Sequence, residues 1–195
     1  MAEFSRIPMF PLSIFPLPGE LVPLHIFEPR YKQLLLDAEA KDISFGIFFN
    51  HVSNVEKTGS LVKLESVIKR YSTGESDIIV KCIDLFSMHK LFRTFHDKPY
   101  PGGDVEFWNI DLTLPVNKKL HQAFKEFLLY FQIRNREAAP SLFMVANELN
   151  LDFEARLRFV AYDNEQKEAF LLSHLKYQSQ LLHQAEKAKD VFHLN

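Results

Sequence analysis

Pro23-Leu24-His25-Ile26-Phe27-Glu28-Pro29-Arg30-Tyr31 is the stretch on which the fold of this chain turns. Leu21 to Ile26 reads as a short extended segment. Pro29 then suits the first turn of a helix, where its missing N–H costs nothing. Glu28 places negative charge at the helix N-terminus, which the macrodipole favours. Tyr31, Leu34, Leu35 and Ala38 follow at i, i+3, i+4 and i+7, so the helix has one apolar face, and Lys41-Asp42 ends it. The stretch is therefore expected to turn a strand into a helix.

Upstream, Ile7 to Phe15 reads as a second extended segment, broken by Pro8 and Pro11. Downstream, Ser44 to Phe49 is an apolar run of strand length. Gly59 to Arg70 alternates: Val62, Leu64 and Ile68 are expected on one face with Ser66 among them, and Lys63, Glu65 and Lys69 on the other. Ser72-Thr73-Gly74-Glu75 is a turn signal, and Asp77 to Ser87 is rich in β-branched residues, so the two strands read as a hairpin. Met88 to Phe95 is expected to continue the sheet after a bend. Pro99, Pro101, Gly102 and Gly103 read as a loop, and Val105 to Leu112, with Trp108, as a last strand.

At Pro115 the periodicity changes from two to helical. Asn117 is a candidate N-cap for a helix carrying Leu120, Phe124, Phe127, Leu128 and Phe131. Pro140-Ser141 opens a second helix, Asp152 caps a third, and Asn164 opens a long, polar-ended fourth. The expected fold class is α+β, with a β-rich module over 1–115 and a helical subdomain over 116–195 packed on it.

The chain has 195 residues, 19 of them Phe, and a formal charge of −2. That balance lacks the basic footprint of a general nucleic-acid binder. Cys82 is the only cysteine, so no internal disulfide and no CxxC metal pair can form. The prolines interrupt what would otherwise resemble a signal peptide, and no apolar run approaches the roughly 20 residues that span a bilayer. A cytoplasmic protein with no membrane association is expected.

Several of these segments together resemble the substrate-binding N-terminal domain of Lon proteases, in a small stand-alone form. Ile7-Pro8-Met9-Phe10-Pro11-Leu12 is similar to that family's first strand, and Ile14-Phe15-Pro16-Leu17-Pro18-Gly19 to the segment after it. Pro23 to Tyr31 is the strongest match. Gly59-Ser60-Leu61-Val62, Asp104-Val105-Glu106 and Asn164-Glu165-Gln166-Lys167-Glu168 match more loosely. Lys81 to His89 departs from the family's pattern: a glycine and an arginine found there in relatives are missing. The resemblance implies a PUA-like β-barrel followed by a C-terminal helical bundle. It also implies binding of unfolded or partner protein segments, as an adaptor for protein quality control that works with a separate protease or chaperone. It does not imply proteolysis.

The chemistry readable from residues agrees with a binding role. No GxxxxGK[ST] phosphate cradle occurs. Two SxxK strings occur, at Ser66–Lys69 and Ser173–Lys176, of which the second has helical spacing; a small serine hydrolase using Ser173 is the enzymatic alternative. An RNA-binding PUA-like protein is the other, disfavoured by the lack of clustered Lys and Arg. None of the eight histidines, His193 included, forms HxxxH or HExxH. No cofactor and no metal are expected, and His25 reads as a barrel-rim histidine bonded to backbone. A homo-oligomer is compatible with the sequence.

Two readings of Phe27 to Tyr31 stand side by side: a capped strand-to-helix turn, or the lining of a peptide groove. The candidate peptide-binding residues are Phe27, Glu28, Arg30 and Tyr31, joined by Tyr100 and Trp108. The last two lie near the loop from Lys98 to Gly103, where exposed aromatics would form an apolar patch.

Overall fold

The structure is a computed structural model that describes residues 4–131 and 139–192, with side chains described up to residue 185; His193 lies outside these. The chain divides into two compact units, 1–111 and 112–195.

The first unit holds strands β1 (Ser5–Phe10), β2 (Leu21–Ile26), β3 (Phe45–Ile47), β4 (Thr58–Arg70), β5 (Ser76–Phe92) and β6 (Gly102–Phe107), with helix α1 (Pro29–Lys41) between β2 and β3. Their order is β2-β5-β4-β3-β1-β6, and β6 also pairs with β5. Five strands therefore close into a ring, which removes their free edges. The first six residues of β5, Ser76 to Lys81, pair with β2, and the stretch from Phe86 to Phe92 pairs with β6. One 17-residue strand thus serves both the closed barrel and an added edge.

Inside, two apolar clusters form the core. Phe10, Tyr31, Leu34, Ile47, Val62 and Val80 belong to one, and Met9, Phe48, Phe86, Met88 and Val105 to the other. Helix α1 buries Tyr31, Leu34, Leu35 and Ala38, the face its spacing predicts, together with Asp37.

Four expectations about the strands are corrected. Ile68 does not share the inward face with Val62 and Leu64. The β4–β5 register skips Glu65 and Ile68, and a β-bulge reverses which face the following residues occupy. Val67 therefore packs on the core, whereas Ile68 is 63% exposed. Gly102 and Gly103 belong to β6, not to a loop. A Cβ at Gly103 would lie 2.6 Å from the Met9 methyl carbon and 2.9 Å from Met88 Sδ, so the glycine leaves room for these two methionine side chains in the barrel. The last strand ends at Phe107, because the Asp84 carboxylate then captures the N–H groups of Asn109 and Ile110 at 2.9 and 3.1 Å. The bend expected near Met88 is a register shift at His89 within a continuous strand.

The second unit holds α2 (Lys118–Tyr130), α3 (Leu142–Glu148), α4 (Phe153–Ala161) and α5 (Asn164–Phe192). The caps read from the sequence form: Asn117, Ser141 and Asp152 accept from the N–H groups of Leu120, Met144 and Ala155. Asp163 and Gln166 exchange hydrogen bonds at 2.8 and 3.1 Å, a reciprocal cap just ahead of Asn164, where α5 begins. Leu120, Phe124, Val145, Phe159, Leu171 and Leu175 are buried. The protein is thus a mixed α and β chain with a C-terminal helical part.

Candidate functional site

Strand β2 alternates as its sequence suggests. Leu21, Pro23 and His25 face outward, Val22 and Leu24 are half-buried, and Ile26 is buried. Among the described residues, β2 pairs only with β5, so Pro23, which has no N–H to give a ladder, stands on an edge strand where that loss is tolerated. Across the outer face runs a groove of about 330 Å³ lined by Pro23, Leu24, His25, Ile68, Asp77 and Ile78. Its far wall is the residue that the second β4 bulge pushes out. Val67 pairs with Ile78 and Lys69 with Asp77, leaving Ile68 as the unpaired residue between them.

At one end of the groove His25 and Asp77 are directly opposite one another on β2 and β5. His25 Nδ1 lies 2.7 Å from Asp77 Oδ1, and since a carboxylate only accepts, Nδ1 carries the hydrogen. Tyr71 donates its hydroxyl hydrogen to Asp77 Oδ2 at 2.7 Å. Hydrogen bonds from His25 first, then Tyr71, hold the Asp77 carboxyl below its ordinary value, and the bond to Asp77 raises the Tyr71 phenol. The His25 Nε2 atom faces Glu75 at 3.8 Å. Rings flank the imidazole on two sides: Phe27 stacked at 5.9 Å and Tyr71 edge-on at 5.9 Å. Lys69 lies over the Tyr71 ring at 4.5 Å. Lys32 on α1 donates to the Thr73 carbonyl, which ties the β4–β5 turn to the helix. The backbone-bonded histidine expected at position 25 is instead bonded to a carboxylate.

The six candidate binding residues do not form one surface. Phe27, Glu28 and Arg30 stand together at the start of α1, Phe27 and Arg30 exposed and Glu28 half-buried. Glu28 is the N-cap but makes no side-chain cap bond; its carboxylate accepts from Arg30 Nε at 2.9 Å. Arg30 in turn lies 4.6 Å over the Tyr31 ring. Tyr31 is 4% exposed and packed on Phe10, and burial raises its phenol. Tyr100 is 1% exposed, with its hydroxyl on Asp37. Both tyrosines are core residues and present no face to a ligand, because each is large enough to fill the barrel interior. Trp108 is half-buried past the end of β6, its indole N–H donated to Ser87 Oγ at 2.9 Å. The apolar patch expected beside 98–103 is absent, since Tyr100, Pro101, Gly102 and Gly103 are all buried.

Glu75, Asp77 and Ile68 escaped the sequence reading. The cross-strand register that carries them to His25 leaves no local signature, and the bulge that exposes Ile68 breaks the alternation by which it was placed.

Other chemistry is sparse. Among the described residues no group of three or more His, Cys, Asp or Glu could hold a metal ion. Ser173 and Lys176 are both exposed on α5, where the lysine is solvated rather than turned into a base by burial. No helix among the described residues is long and apolar enough to cross a membrane.

The family model described as "ATP-dependent protease La (LON) substrate-binding domain" matches residues 6–188. Among solved structures, a Lon N-terminal domain protein from Xanthomonas campestris is similar, with a TM-score of 0.68 and 20% identity over 87% of this chain and 98% of that one. The N-terminal domain of the Mycobacterium avium complex Lon protease is similar with a TM-score of 0.58 and 14% identity, covering 88% of this chain and 98% of that one. At these identities the likeness to the two structures is one of fold. No curated protein matches the chain.

Proposed function

This chain belongs to the family of Lon substrate-binding domains, and from that premise we propose that it is a non-catalytic module that holds exposed segments of other proteins on the outer face of its barrel. The observation that carries this reading is the groove between β2 and the bulged Ile68. Ile68 lines it at 63% exposure, and Phe27, stacked on the groove's His25, is 58% exposed, although the residues beside them, Ile26 and Val67, turn inward to build the core. Exposed apolar side chains beside a groove suit contact with the apolar residues of an unfolded client. In this role the module hands clients on to a separate protease or chaperone, as an adaptor in protein quality control.

The test is fluorescence-anisotropy binding to reduced and carbamidomethylated lactalbumin, a permanently unfolded probe, with native lactalbumin as control. Binding of the unfolded form alone is expected, and the double substitution Phe27→Ser with Ile68→Ser should weaken it at least tenfold without altering the circular-dichroism spectrum. Unchanged affinity in the double variant, or no binding by the wild type, overturns the reading.

A further inference from the structure

We propose that the groove selects extended client segments in which an aliphatic residue and a lysine or arginine are two positions apart. This rests on the client-binding reading above and names the chemistry that the site would take.

Pro23 and Ile68 give the groove its exposed apolar half, above the buried Ile78; the Asp77 carboxylate stands at its rim, and Glu75 lies just beyond, across His25. Asp77 has both oxygens engaged, one by His25 and one by Tyr71. Glu75 does not: its carboxylate is half-exposed, and its ion-pair partner among the described residues is His25 at 3.8 Å, beyond hydrogen-bond length. Beside it stands the ring of His25, on whose face the exposed Phe27 is stacked at 5.9 Å. A carboxylate next to aromatic faces suits a cationic side chain, by charge and by cation–π attraction. The corner already holds one such cation, since Lys69 sits on the Tyr71 ring at 4.5 Å. Lys69 is opposite Asp77 in the register and Lys32 is held on the Thr73 carbonyl, so Glu75 is the carboxylate that this corner leaves half-exposed.

The spacing follows from the strand that makes the wall. Pro23 borders the apolar half and His25 the charged end, two residues apart on the outward face of β2. A client lying extended alongside β2 repeats that period, so the side chains it lowers into the two halves are also i and i+2.

The experiment uses fluorescent acetyl-Ser-Leu-Ser-Lys-Ser-Leu-Ser-Lys-Ser and its counterpart with glutamate in place of each lysine, titrated with the intact chain at low salt. The lysine peptide is expected to bind about three- to fivefold more tightly, the scale of an exposed ion pair, and the preference should shrink as salt screens it. Glu75→Gln should erase most of the preference and Glu75→Lys should reverse it, with the circular-dichroism spectrum unchanged. Equal affinities, no measurable binding by either peptide, or a preference indifferent to Glu75→Lys overturns the inference. Unfolded lactalbumin is titrated in parallel. If it binds while the peptides do not discriminate, the inference alone fails; if it does not bind, the reading beneath it fails too.

Discussion

Tyr100 donates its hydroxyl hydrogen to Asp37 Oδ2 at 2.7 Å, and both side chains are closed off from water, at 1% and 7% exposure. Lys98 reaches the same carboxylate at 3.0 Å and Gln33 adds a longer bond at 3.3 Å. One residue of α1 thereby fixes the turn that leads into β6. Removing a donor from a buried carboxylate costs about 1–3 kcal/mol. Tyr100→Phe should therefore lower the urea midpoint by that amount of stability, with the barrel otherwise intact; an unchanged midpoint would show the bond to be idle.

The same carboxylate predicts a response to acid. Burial alone would push the Asp37 carboxyl up, but the hydrogen bonds from Tyr100, Lys98 and Gln33, with the charge of Lys98, outweigh it and hold the group below its ordinary value of 3.8. With the folded value the lower of the two, the unfolded chain takes up the proton first as the pH falls. The contribution is complete above the ordinary value and is lost as the pH falls through the folded one. Wild type should thus exceed Asp37→Asn in stability at pH 7, and the gap should close on acidification below about pH 4. A gap of equal size at pH 7 and pH 3 would contradict this.

Gly59 is opposite Phe86 on neighbouring strands, and a Cβ there would fall 2.3 Å from the ring. Phe86 is fully buried and has no room to withdraw. Gly59→Ala should cost about 1–3 kcal/mol, the range for overfilling a packed core. Adding Phe86→Leu should return part of that loss, because the two sites share one contact and so are not additive. Thermal unfolding of the two single variants and the double variant gives the coupling directly, and strict additivity would rule out the clash.

How much of this was legible in the sequence depends on how far apart the interacting residues lie. Helix α1 and the caps at Asn117, Ser141 and Asp152 depend on neighbours within one turn, so the spacing of residues revealed them. Phe27, Glu28 and Arg30 lie within four successive residues, so the strand-to-helix turn that brings them together was legible. Tyr100 was misplaced because an aromatic next to a loop fills a core as readily as it lines a surface; the helical spacing put Tyr31 on the buried face of α1, which rules it out as a groove residue. The Asp37 network spans 63 residues, and no pattern announces it. The groove depends on the pairing of β2, β4 and β5 and on the bulges in β4, which appear only when the strands are aligned.

Cys82 tests the core from the chemical side. It is fully buried, and burial first, then the nearby Glu20 and Asp84 carboxylates, push its thiol up. The thiolate is the reactive form, so the folded chain should be inert to Ellman's reagent at pH 8 and should titrate one thiol in guanidinium chloride. Rapid labelling of the native protein would mean that the strand around Cys82 opens readily.

The bulge in β4 makes the sharpest contrast between neighbours. Strict alternation from Val62 places Ile68 inside and Val67 outside; the skipped residues of the β4–β5 register give the reverse, with Val67 packed on the core and Ile68 63% exposed. Val67→Ser places a hydroxyl against apolar neighbours and removes their methyl contacts, and should cost about 1–3 kcal/mol. Ile68→Ser touches no core and should change stability by less than about 0.5 kcal/mol. The order reverses for binding. Ile68→Ser should weaken capture of unfolded lactalbumin, whereas Val67→Ser, assayed below its melting temperature, should leave that capture nearly intact. Chemical denaturation and anisotropy on the same two proteins read both effects. A destabilised Ile68→Ser beside an indifferent Val67→Ser would restore the unbulged register and remove the groove's far wall with it.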